Sequence, residues 1–188
     1  MLNAVKSRFS SGKNKLFLLF MLLLFTPISQ AQWQSDVRLT NDPAESHTSW
    51  SNAWCIAASG NDVHVVWWDV RDGNFEIYYK RSTDVGSTWG ADTRLTNNSA
   101  ISGVPSISLS GQVVHVVWWD NRDENQEIYY KRSTDGGVSW GADTRLTNNS
   151  ASSGEPSVSV SGSVVHVVWY DFRDDNDEIY YKRSTDGA

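Results

Sequence analysis

A short motif of aspartate and arginine residues occurs three times in this 188-residue sequence. It reads Asp-x-Arg-Asp, and each copy lies between two runs of apolar residues. The planar guanidinium group matches the geometry of a carboxylate, so each arginine could bind a carboxylate of a ligand. The alternative is an Arg–Asp pair that braces each loop. We name these segments the D-x-R-D loops, and their candidate ligand-binding residues are Asp69, Arg71, Asp72, Asp120, Arg122, Asp123, Asp171, Arg173 and Asp174.

Oxygen-bearing side chains also alternate along the first of these loops. Asp72, Asn74 and Glu76 offer the kind of donor atoms that Ca²⁺ prefers. Calcium is therefore an alternative ligand, although the loop lacks a complete calcium-binding signature; we otherwise predict no metal site and no cofactor. The repeated histidines lie in apolar runs and are predicted to be core residues rather than metal ligands: His64, His115 and His166.

The D-x-R-D loops belong to a longer repeat. Nearly identical segments begin at His64, His115 and His166, which are 51 residues apart. Within a unit, runs rich in valine, isoleucine, tryptophan and tyrosine alternate with turn residues, and this pattern indicates β-strands. The strands predicted for the second unit are Ser106–Ser110, Val113–Trp119, Glu127–Ser133 and Ser139–Thr147.

Four short strands at a period near 50 residues are typical of a β-propeller blade. A β-solenoid has shorter coils that do not need three hairpin turns each, and separate β-sandwich domains need about 100 residues each. We therefore predict an all-β protein, a β-propeller of four-stranded antiparallel blades with about three blades present. The predicted parts are a closing fourth strand at 32–41, blades at 49–97 and 104–148, and an incomplete blade at 155–188.

The segment before the first blade suggests ring closure. Residues 33–41 align without gaps on residues 89–97 and 140–148, so they read as a fourth strand without three strands before it. Such a strand is an exposed edge unless it completes another blade. Three blades are too few for a ring, which needs at least four. We expect a truncated part of a ring of six or more blades; the alternative is that two copies pair into a six-bladed ring.

Residues 1–31 have the pattern of a secretory signal peptide. A basic region is followed by an apolar run, Leu16–Phe25, and by small residues before a predicted cleavage site after Ala31. The apolar run is too short to span a membrane, which takes about 20 residues. We predict a secreted protein in an extracellular, periplasmic or cell-surface location, with no membrane span after cleavage.

Removal of residues 1–31 takes away four basic residues and no acidic residue, which changes the formal net charge from −6 to −10. Because an acidic protein repels nucleic acid and anionic membranes, we expect neither as a partner. Cys55 is the single cysteine and cannot form an intrachain disulfide. Stability must then come from the core, to which ten tryptophans and seven tyrosines contribute apolar area.

A second motif fills the turn between the third and fourth predicted strands. It reads Ser-x-Asp-x-Gly-x-Thr/Ser-Trp, twice complete and once partial, and we name these segments the S-x-D turns. The aspartate can accept hydrogen bonds from its own turn, the glycine permits a positive φ, and the tryptophan can pack beneath the hairpin. We predict a structural role for Ser82, Asp84, Gly86, Trp89, Ser133, Asp135, Gly137, Trp140, Ser184 and Asp186.

The S-x-D turn resembles the Asp-box, or BNR repeat, of the sialidase superfamily, and the resemblance covers nearly all of residues 32–188. It implies a propeller whose active site lies on the face opposite the Asp-boxes, where the D-x-R-D loops are predicted. Residues 67–89 are also similar to the part of bacterial sialidases that carries D-x-R, an acidic loop and an RRSTDGG-x-TW run. This similarity implies that Arg71 binds the sialic acid carboxylate and that Asp72 is a candidate general acid.

The sequence departs from the sialidase pattern in three ways. Residues 49–58, which match the family's Phe/Tyr-Arg-Ile-Pro motif, contain no arginine; no tyrosine nucleophile with its glutamate can be placed; and D-x-R-D recurs in every blade. We therefore expect a secreted, sialidase-like Asp-box propeller that acts as a non-catalytic scaffold and binds glycan or a cell-surface protein. The alternative is a fragment of an exo-α-sialidase-like glycoside hydrolase.

Overall fold

The computed structural model describes residues 33–48 and 54–188, and in these residues all regular secondary structure is β-strand. The predicted signal peptide, residues 1–31, lies outside them. No helix in the described residues is long and apolar enough to cross a membrane. Every strand lies in the compact unit formed by residues 38–188. The strands are β1 (Ser46–His47), β2 (Ile56–Ser59), β3 (Asp62–Asp69), β4 (Glu76–Ser82), β5 (Thr93–Arg94), β6 (Ser102–Ser110), β7 (Val113–Asp120), β8 (Glu127–Ser133), β9 (Thr144–Arg145), β10 (Ser153–Ser161), β11 (Val164–Asp171) and β12 (Glu178–Ser184).

Three antiparallel sheets follow one another along the chain, and we call them blades one, two and three. Blade one has the order β1-β3-β4-β5, with β2 also paired to β3; blade two has the order β6-β7-β8-β9; and blade three has the order β10-β11-β12. Short hairpin turns join antiparallel neighbours, which is why blades two and three follow the order of the sequence; in blade one both β1 and β2 pair with β3. The prediction of an all-β protein with antiparallel blades is confirmed, and in the described residues the sheets do not close into a ring.

The second and third strands pair in the same register in every blade. Their hairpins end on the pairs Asp69–Glu76, Asp120–Glu127 and Asp171–Glu178. Because the repeat fixes both the strand lengths and the turn residues, each D-x-R-D loop leaves its sheet at an equivalent point. The three loops therefore occupy the same place in their blades.

The fourth strands are shorter than predicted. The sequence predicts Ser139–Thr147 for blade two, whereas β9 spans only Thr144–Arg145. The S-x-D turn is the reason, because the Ser139 amide donates to Asp135 Oδ1 at 2.9 Å instead of joining a ladder. The turn thus takes up backbone groups that a longer fourth strand would need.

The first strands begin earlier than predicted. Strand β6 spans Ser102–Ser110, against a predicted Ser106–Ser110, and its register shifts between Gly103 and Ser106. A β-bulge at this point bends the strand while it stays paired with β7. Blade one likewise begins at Ser46, and not at residue 49, because β1 pairs with the end of β3.

The closing strand predicted at 32–41 is not formed, since the described residues 33–41 contain no strand. A strand is defined by its pairing, and no strand of the described residues pairs with this segment. Its end nevertheless keeps the local geometry of a fourth strand. Arg38 Nε donates to Thr40 O at 2.7 Å, as the fourth-strand Arg94 Nε donates to Thr96 O at 2.8 Å.

The core lies between the blades. Side chains of the second and third strands alternate between the two faces of each sheet, and both faces are apolar. Full burial of one large apolar side chain contributes about 1.5–3 kcal/mol, so neighbouring blades stabilise each other. The layer between blades one and two contains Val66, Ile77, Tyr79, Val114, Val116 and Trp118. The layer between blades two and three contains Val117, Ile128, Tyr130, Val165, Val167 and Trp169.

Two of the repeated histidines belong to this core, as predicted. His64 Nδ1 lies 2.6 Å from the Tyr79 hydroxyl oxygen, and His115 Nδ1 lies 2.8 Å from that of Tyr130. Burial lowers the pKa of both imidazoles, that of His115 to about 4. Both side chains are therefore neutral at neutral pH and serve as hydrogen-bonded core residues.

Candidate functional site

The D-x-R-D loops and the S-x-D turns lie at opposite ends of the third strand of each blade. In blade two, β8 begins at Glu127, next to the D-x-R-D loop, and ends at Ser133, the first residue of the S-x-D turn. A strand of seven residues separates the two motifs by about 23 Å. The loops therefore share one side of the blades, which we call the D-x-R-D face.

The first aspartate of each loop is a buried acceptor. Asp120 is fully buried, and its carboxylate accepts hydrogen bonds from Arg122 Nη2 at 2.6 Å, from the Arg122 amide at 2.9 Å and from Ser102 Oγ at 2.8 Å. Burial by itself would raise the pKa of Asp120, but the hydrogen bonds from Arg122 and Ser102 outweigh it and lower the pKa. The same balance lowers the pKa of Asp69 to about 2. Both groups are therefore ionised at neutral pH and are bound within the protein.

The loop arginine of blades one and two binds two acids of its own blade. Arg122 Nη2 binds Asp120, and Arg122 Nη1 binds Asp143 Oδ2 at 2.8 Å. The guanidinium carbon also lies 4.3 Å from the centre of the Tyr129 ring. A guanidinium held between two carboxylates has little charge left to attract a ligand. The same contacts in blade one join Arg71, Asp69, Asp92 and Tyr78.

Sequence reasoning missed Asp92 and Asp143 as members of this site. Besides the loop arginine, Asp143 binds Lys131 of the third strand at 2.9 Å. A signal was present, because Gly-Ala-Asp-Thr-Arg occurs unchanged at 90–94 and 141–145. Only the pairing of the third and fourth strands reveals that this aspartate lies next to the loop arginine of the same blade.

The second aspartate of each loop lies nearer the surface. Asp123 accepts a hydrogen bond from the Tyr129 hydroxyl and forms an ion pair with Arg145 at 3.2 Å, and 34% of its side chain is exposed. Asp72, the candidate general acid, makes the equivalent contacts in blade one. Both aspartates therefore connect the loop to the third and fourth strands.

Blade three has the loop without a fourth strand. Arg173 binds Asp171 through Nε at 2.8 Å and through Nη2 at 2.5 Å, and its guanidinium lies 4.0 Å from the centre of the Tyr180 ring. In the described residues no counterpart of Asp143 reaches this arginine. Its guanidinium is accordingly held by one acid, and its side chain is 35% exposed against 25% for Arg122.

A buried glutamate closes each of the first two hairpins, and it bears on the calcium alternative. Glu76 Oε1 accepts hydrogen bonds from Arg94 Nη2 at 2.8 Å, Asn74 Nδ2 at 3.1 Å and the Asn98 amide at 3.2 Å. Asn74 thus presents its NH₂ group, a donor, while Asp72 binds Arg94. The three alternating side chains do not form a common set of oxygen ligands. Across 33–48 and 54–188, no cluster of three acidic, histidine or cysteine residues could hold a metal ion.

Asparagines link the D-x-R-D loops of neighbouring blades. Asn98 Nδ2 donates to Asp120 Oδ2 at 3.3 Å, and Asn149 Nδ2 donates to Asp171 Oδ2 at 3.4 Å. Each asparagine follows the fourth strand of one blade and reaches the buried aspartate of the next. The loops therefore form one connected surface.

An open polar depression of about 580 Å³ lies at the loop of blade two. Glu124, Asn148 and Ser150 are its exposed polar residues. Ser152 follows the lining residue Ser150 by two positions, and its carbonyl oxygen accepts a hydrogen bond at 3.1 Å from the amide of Phe172, which is 50% exposed. The depression thus offers mainly hydrogen-bonding groups. Its lining residues are Arg122, Asp123, Glu124, Asn125, Arg145, Asn148, Asn149 and Ser150.

The S-x-D turns are organised around their serine. Ser133 Oγ is buried, accepts a hydrogen bond from the Gly137 amide at 2.8 Å and donates to Asp135 Oδ1 at 2.7 Å. Asp135 is exposed, and hydrogen bonds from the Ser139 hydroxyl and amide, followed by that from Ser133, lower its pKa. The serine, more than the aspartate, connects the turn to the interior.

The S-x-D turn of blade two also contacts the preceding blade. Arg81 Nη1 donates to Gly136 O at 2.7 Å, and the Trp140 ring packs edge-on against Tyr79 with 4.9 Å between ring centroids. The turn therefore contributes to the interface between blades as well as to its own hairpin.

Solved structures that are similar to this chain include a sialidase and an arabinofuranosidase. A mutant of Trypanosoma rangeli sialidase with trans-sialidase activity is similar over 71% of this chain and 28% of its own, with 15% identity and a TM-score of 0.50. The catalytic domain of the Coprinopsis cinerea GH62 α-L-arabinofuranosidase is similar over 70% of this chain and 44% of its own, with 13% identity and a TM-score of 0.46. No protein-family model matches the chain, and no curated protein matches it.

The chain has the fold of part of a sialidase-like β-propeller. At 15% identity the likeness to the sialidase concerns the fold alone, and the chain spans 28% of that sialidase's length. The prediction of a propeller is confirmed on this basis. The prediction that the D-x-R-D face binds a ligand is not tested by the fold, because one fold carries many different functions.

Ser133→Ala is expected to destabilise the protein more than Asp135→Ala. The serine substitution leaves the buried Gly137 amide without its acceptor, which costs about 1–3 kcal/mol of the free energy of unfolding. The donors to Asp135 are exposed and can bond to water instead, so the second substitution lowers the melting temperature by no more than about 2–4 °C. Thermal and urea denaturation of both variants measure the difference, and a larger loss for Asp135→Ala would refute the central role of the serine.

Proposed function

We propose that this protein is an exported, non-catalytic propeller that binds neutral glycan on its D-x-R-D face. The polar depression of blade two carries this proposal, because it is open and its exposed polar groups are available to a ligand. Sugar-binding sites need a few convergent hydrogen-bonding groups beside an apolar surface. Asn148, Ser150 and Glu124 supply the first. We assign the second to Phe172, which is half-exposed and whose amide bonds to Ser152, two residues after Ser150.

The charges favour a neutral glycan over an acidic one. The two arginines that line the depression are already paired: Arg122 with two aspartates, and Arg145 with Glu127 at 2.8 Å. A sialic acid carboxylate would need arginine side chains that are free to bind it. The acidic net charge of the chain adds repulsion, which a neutral sugar does not experience.

The contacts of the candidate catalytic residues support a scaffold rather than a hydrolase. Arg71 is held by Asp69 at 2.6 Å and by Asp92 at 2.7 Å, and Asp72 is bound by Arg94 at 3.1 Å. A carboxylate-binding arginine and a general acid would both have to leave these partners. The similar sialidase acts on sialic acid by its name, but the shared fold does not extend that activity to this chain.

Export is the part of the proposal that rests on the sequence. Residues 1–31 have the basic, apolar and small-residue segments of a signal peptide. Glycans are abundant outside the cell, so a secreted or surface location suits a glycan-binding protein. Detection of the processed protein in the medium or periplasm, with a new amino terminus at Gln32, tests this part separately.

Binding to a panel of immobilised neutral and acidic oligosaccharides tests the glycan proposal. We expect neutral oligosaccharides to bind. Asn148→Ala should raise the dissociation constant by about 5–10-fold, which corresponds to the free energy of one lost hydrogen bond. Asn61→Ala is the matched control, since Asn61 is also exposed but lies at the opposite end of its blade. A protein that binds no oligosaccharide, or that loses binding equally in both variants, would contradict the proposal.

A further inference from the structure

The residues that line the depression of blade two have counterparts in blade one. We call the eight lining residues the binding frame of blade two: 122–125, 145 and 148–150. The equivalent frame of blade one lies 51 positions earlier in the sequence: 71–74, 94 and 97–99. The two frames have the same residue types at every position except one, where Gly73 replaces Glu124. The hydrogen-bonding groups of one blade therefore occur again in the other.

The same contacts hold both frames in place. In blade two, Arg145 binds Glu127 at 2.8 Å and Asp123 at 3.2 Å, and the equivalent contacts of blade one measure 2.8 and 3.1 Å. The loop asparagine of each frame donates to a backbone carbonyl oxygen after the fourth strand, at 3.0 Å in blade two and 3.1 Å in blade one. Because the equivalent distances agree so closely, the two frames have nearly the same shape.

Both frames present unbonded polar side chains at the surface. Asn97 and Ser99 of blade one are exposed, as are Asn148 and Ser150 of blade two. Within residues 33–48 and 54–188, no protein group forms a hydrogen bond with these four side chains. A ligand that bonds to the Asn148 amide group would therefore find the same group at Asn97.

The frames differ in the loop residue of the next blade that bonds to the chain just after them. After the frame of blade two this residue is Phe172, whose amide donates to Ser152 O at 3.1 Å. After the frame of blade one it is Asn121, whose amide donates to Ile101 O at 3.2 Å. An aromatic side chain offers a sugar an apolar surface that asparagine does not. Blade one therefore lacks the apolar contact that we assign to Phe172.

The exchange of Glu124 for Gly73 is the second difference. Both residues have a positive φ, +79° and +96°, so the two loops turn in the same way. Glu124 is exposed, and its carboxylate can accept hydrogen bonds from sugar hydroxyl groups. Gly73 has no side chain that could do so. Blade one thus offers a ligand fewer groups than blade two.

We propose that the frame of blade one is a second glycan site, with a lower affinity than the site of blade two. This inference rests on the proposed function of the D-x-R-D face. The affinities differ because blade one lacks the counterparts of Phe172 and Glu124. Both frames lie on the D-x-R-D face, in neighbouring blades. A repetitive glycan can therefore occupy both sites of one chain, which raises the overall affinity above that of either site alone.

An NMR titration of the ¹⁵N-labelled protein with a neutral disaccharide measures each site separately. The probe is cellobiose, xylobiose or mannobiose, whichever of the three binds most tightly. Backbone amide signals of residues 97–99 report on blade one, and those of residues 148–150 report on blade two. We expect both sets of signals to shift, and the dissociation constant of blade one to be at least about 3-fold higher. Shifts confined to residues 148–150 would overturn the second site and leave the proposed function standing, whereas no shift in either set would overturn both.

Two substitutions test the residues assigned to the site of blade one. Asn97→Ala should raise the dissociation constant read from residues 97–99 by about 5–10-fold and leave that of blade two unchanged. Asn121→Phe supplies the missing aromatic ring and should lower the dissociation constant of blade one by about 3-fold or more. Asn121→Ala is the matched control, since it removes the same hydrogen bond from the Ile101 amide without adding a ring. Equal effects of Asn97→Ala on both blades, or an Asn121→Phe variant that binds no more tightly than Asn121→Ala, would contradict these assignments.

Discussion

Gly137→Ala lowers the free energy of unfolding by about 3–5 kcal/mol, although Gly86→Ala at the same place in blade one lowers it by only about 1–2 kcal/mol. Both glycines have a positive φ, +84° and +83°. A methyl group on Gly137 would overlap the Tyr79 hydroxyl of the preceding blade, whereas the nearest atom to one on Gly86 belongs to Trp89, 3.8 Å away. Tyr79 has little room to yield, because it is buried and bonded to His64.

Urea denaturation of the two glycine variants separates the two costs. Gly86→Ala measures the backbone penalty alone, and the difference between the variants measures the overlap between blades. Tyr79→Phe in the Gly137→Ala background removes the overlapping hydroxyl and should recover part of the loss. Equal destabilisation by the two glycine variants would show that the S-x-D turn does not pack on the preceding blade as described.

Asp120→Ala is expected to destabilise the protein by about 3–5 kcal/mol, because it removes a buried carboxylate from its arginine. Arg122 and Ser102 would lose their charged acceptor at a fully buried position. The loop would also lose the link to the preceding blade through Asn98. The measurement is the free energy of unfolding at pH 7, where the lowered pKa keeps Asp120 ionised in the folded state.

Asp123→Ala is the matched control for this prediction. It removes an aspartate three positions later in the same loop, but that side chain is 34% exposed and its ion pair with Arg145 is near the surface. Exposed ion pairs contribute about 1 kcal/mol or less. A larger loss for Asp123→Ala than for Asp120→Ala would reverse the assignment of the first aspartate as the buried acceptor.

The parts of the fold that follow from local pattern were predictable from the sequence. Strand β8 has the predicted bounds Glu127–Ser133, and β7 ends one residue later than predicted, because apolar runs and turn residues determine both. The fourth strand was predicted too long, since its extent depends on which amides the S-x-D turn takes up. The segment 33–41 has a fourth-strand sequence but no strand, because pairing needs a partner that the sequence alone does not supply.

The candidate site was likewise predicted only in part from the sequence. Its loop residues were recognised from spacing, but their partners come from the fourth strand and from the neighbouring blade. Asp143 follows Arg122 by 21 residues and Asn98 precedes Asp120 by 22, so only the strand register brings them together. The depression of blade two was also beyond sequence reasoning, because it is formed by the loop of one hairpin and the segment after another strand.

The central claim is that the D-x-R-D arginines stabilise the fold and take no part in a reaction. The most direct test is to measure hydrolysis of a fluorogenic sialoside by the wild-type protein and by the Arg71→Ala variant. Arg71 is held by two aspartates, so we expect neither protein to release the fluorophore faster than buffer, even at high protein concentration. Circular dichroism of both samples establishes that the comparison is between folded proteins. Turnover by the wild-type protein that disappears in a folded Arg71→Ala variant would contradict this account and would make the D-x-R-D face a working sialidase-like site.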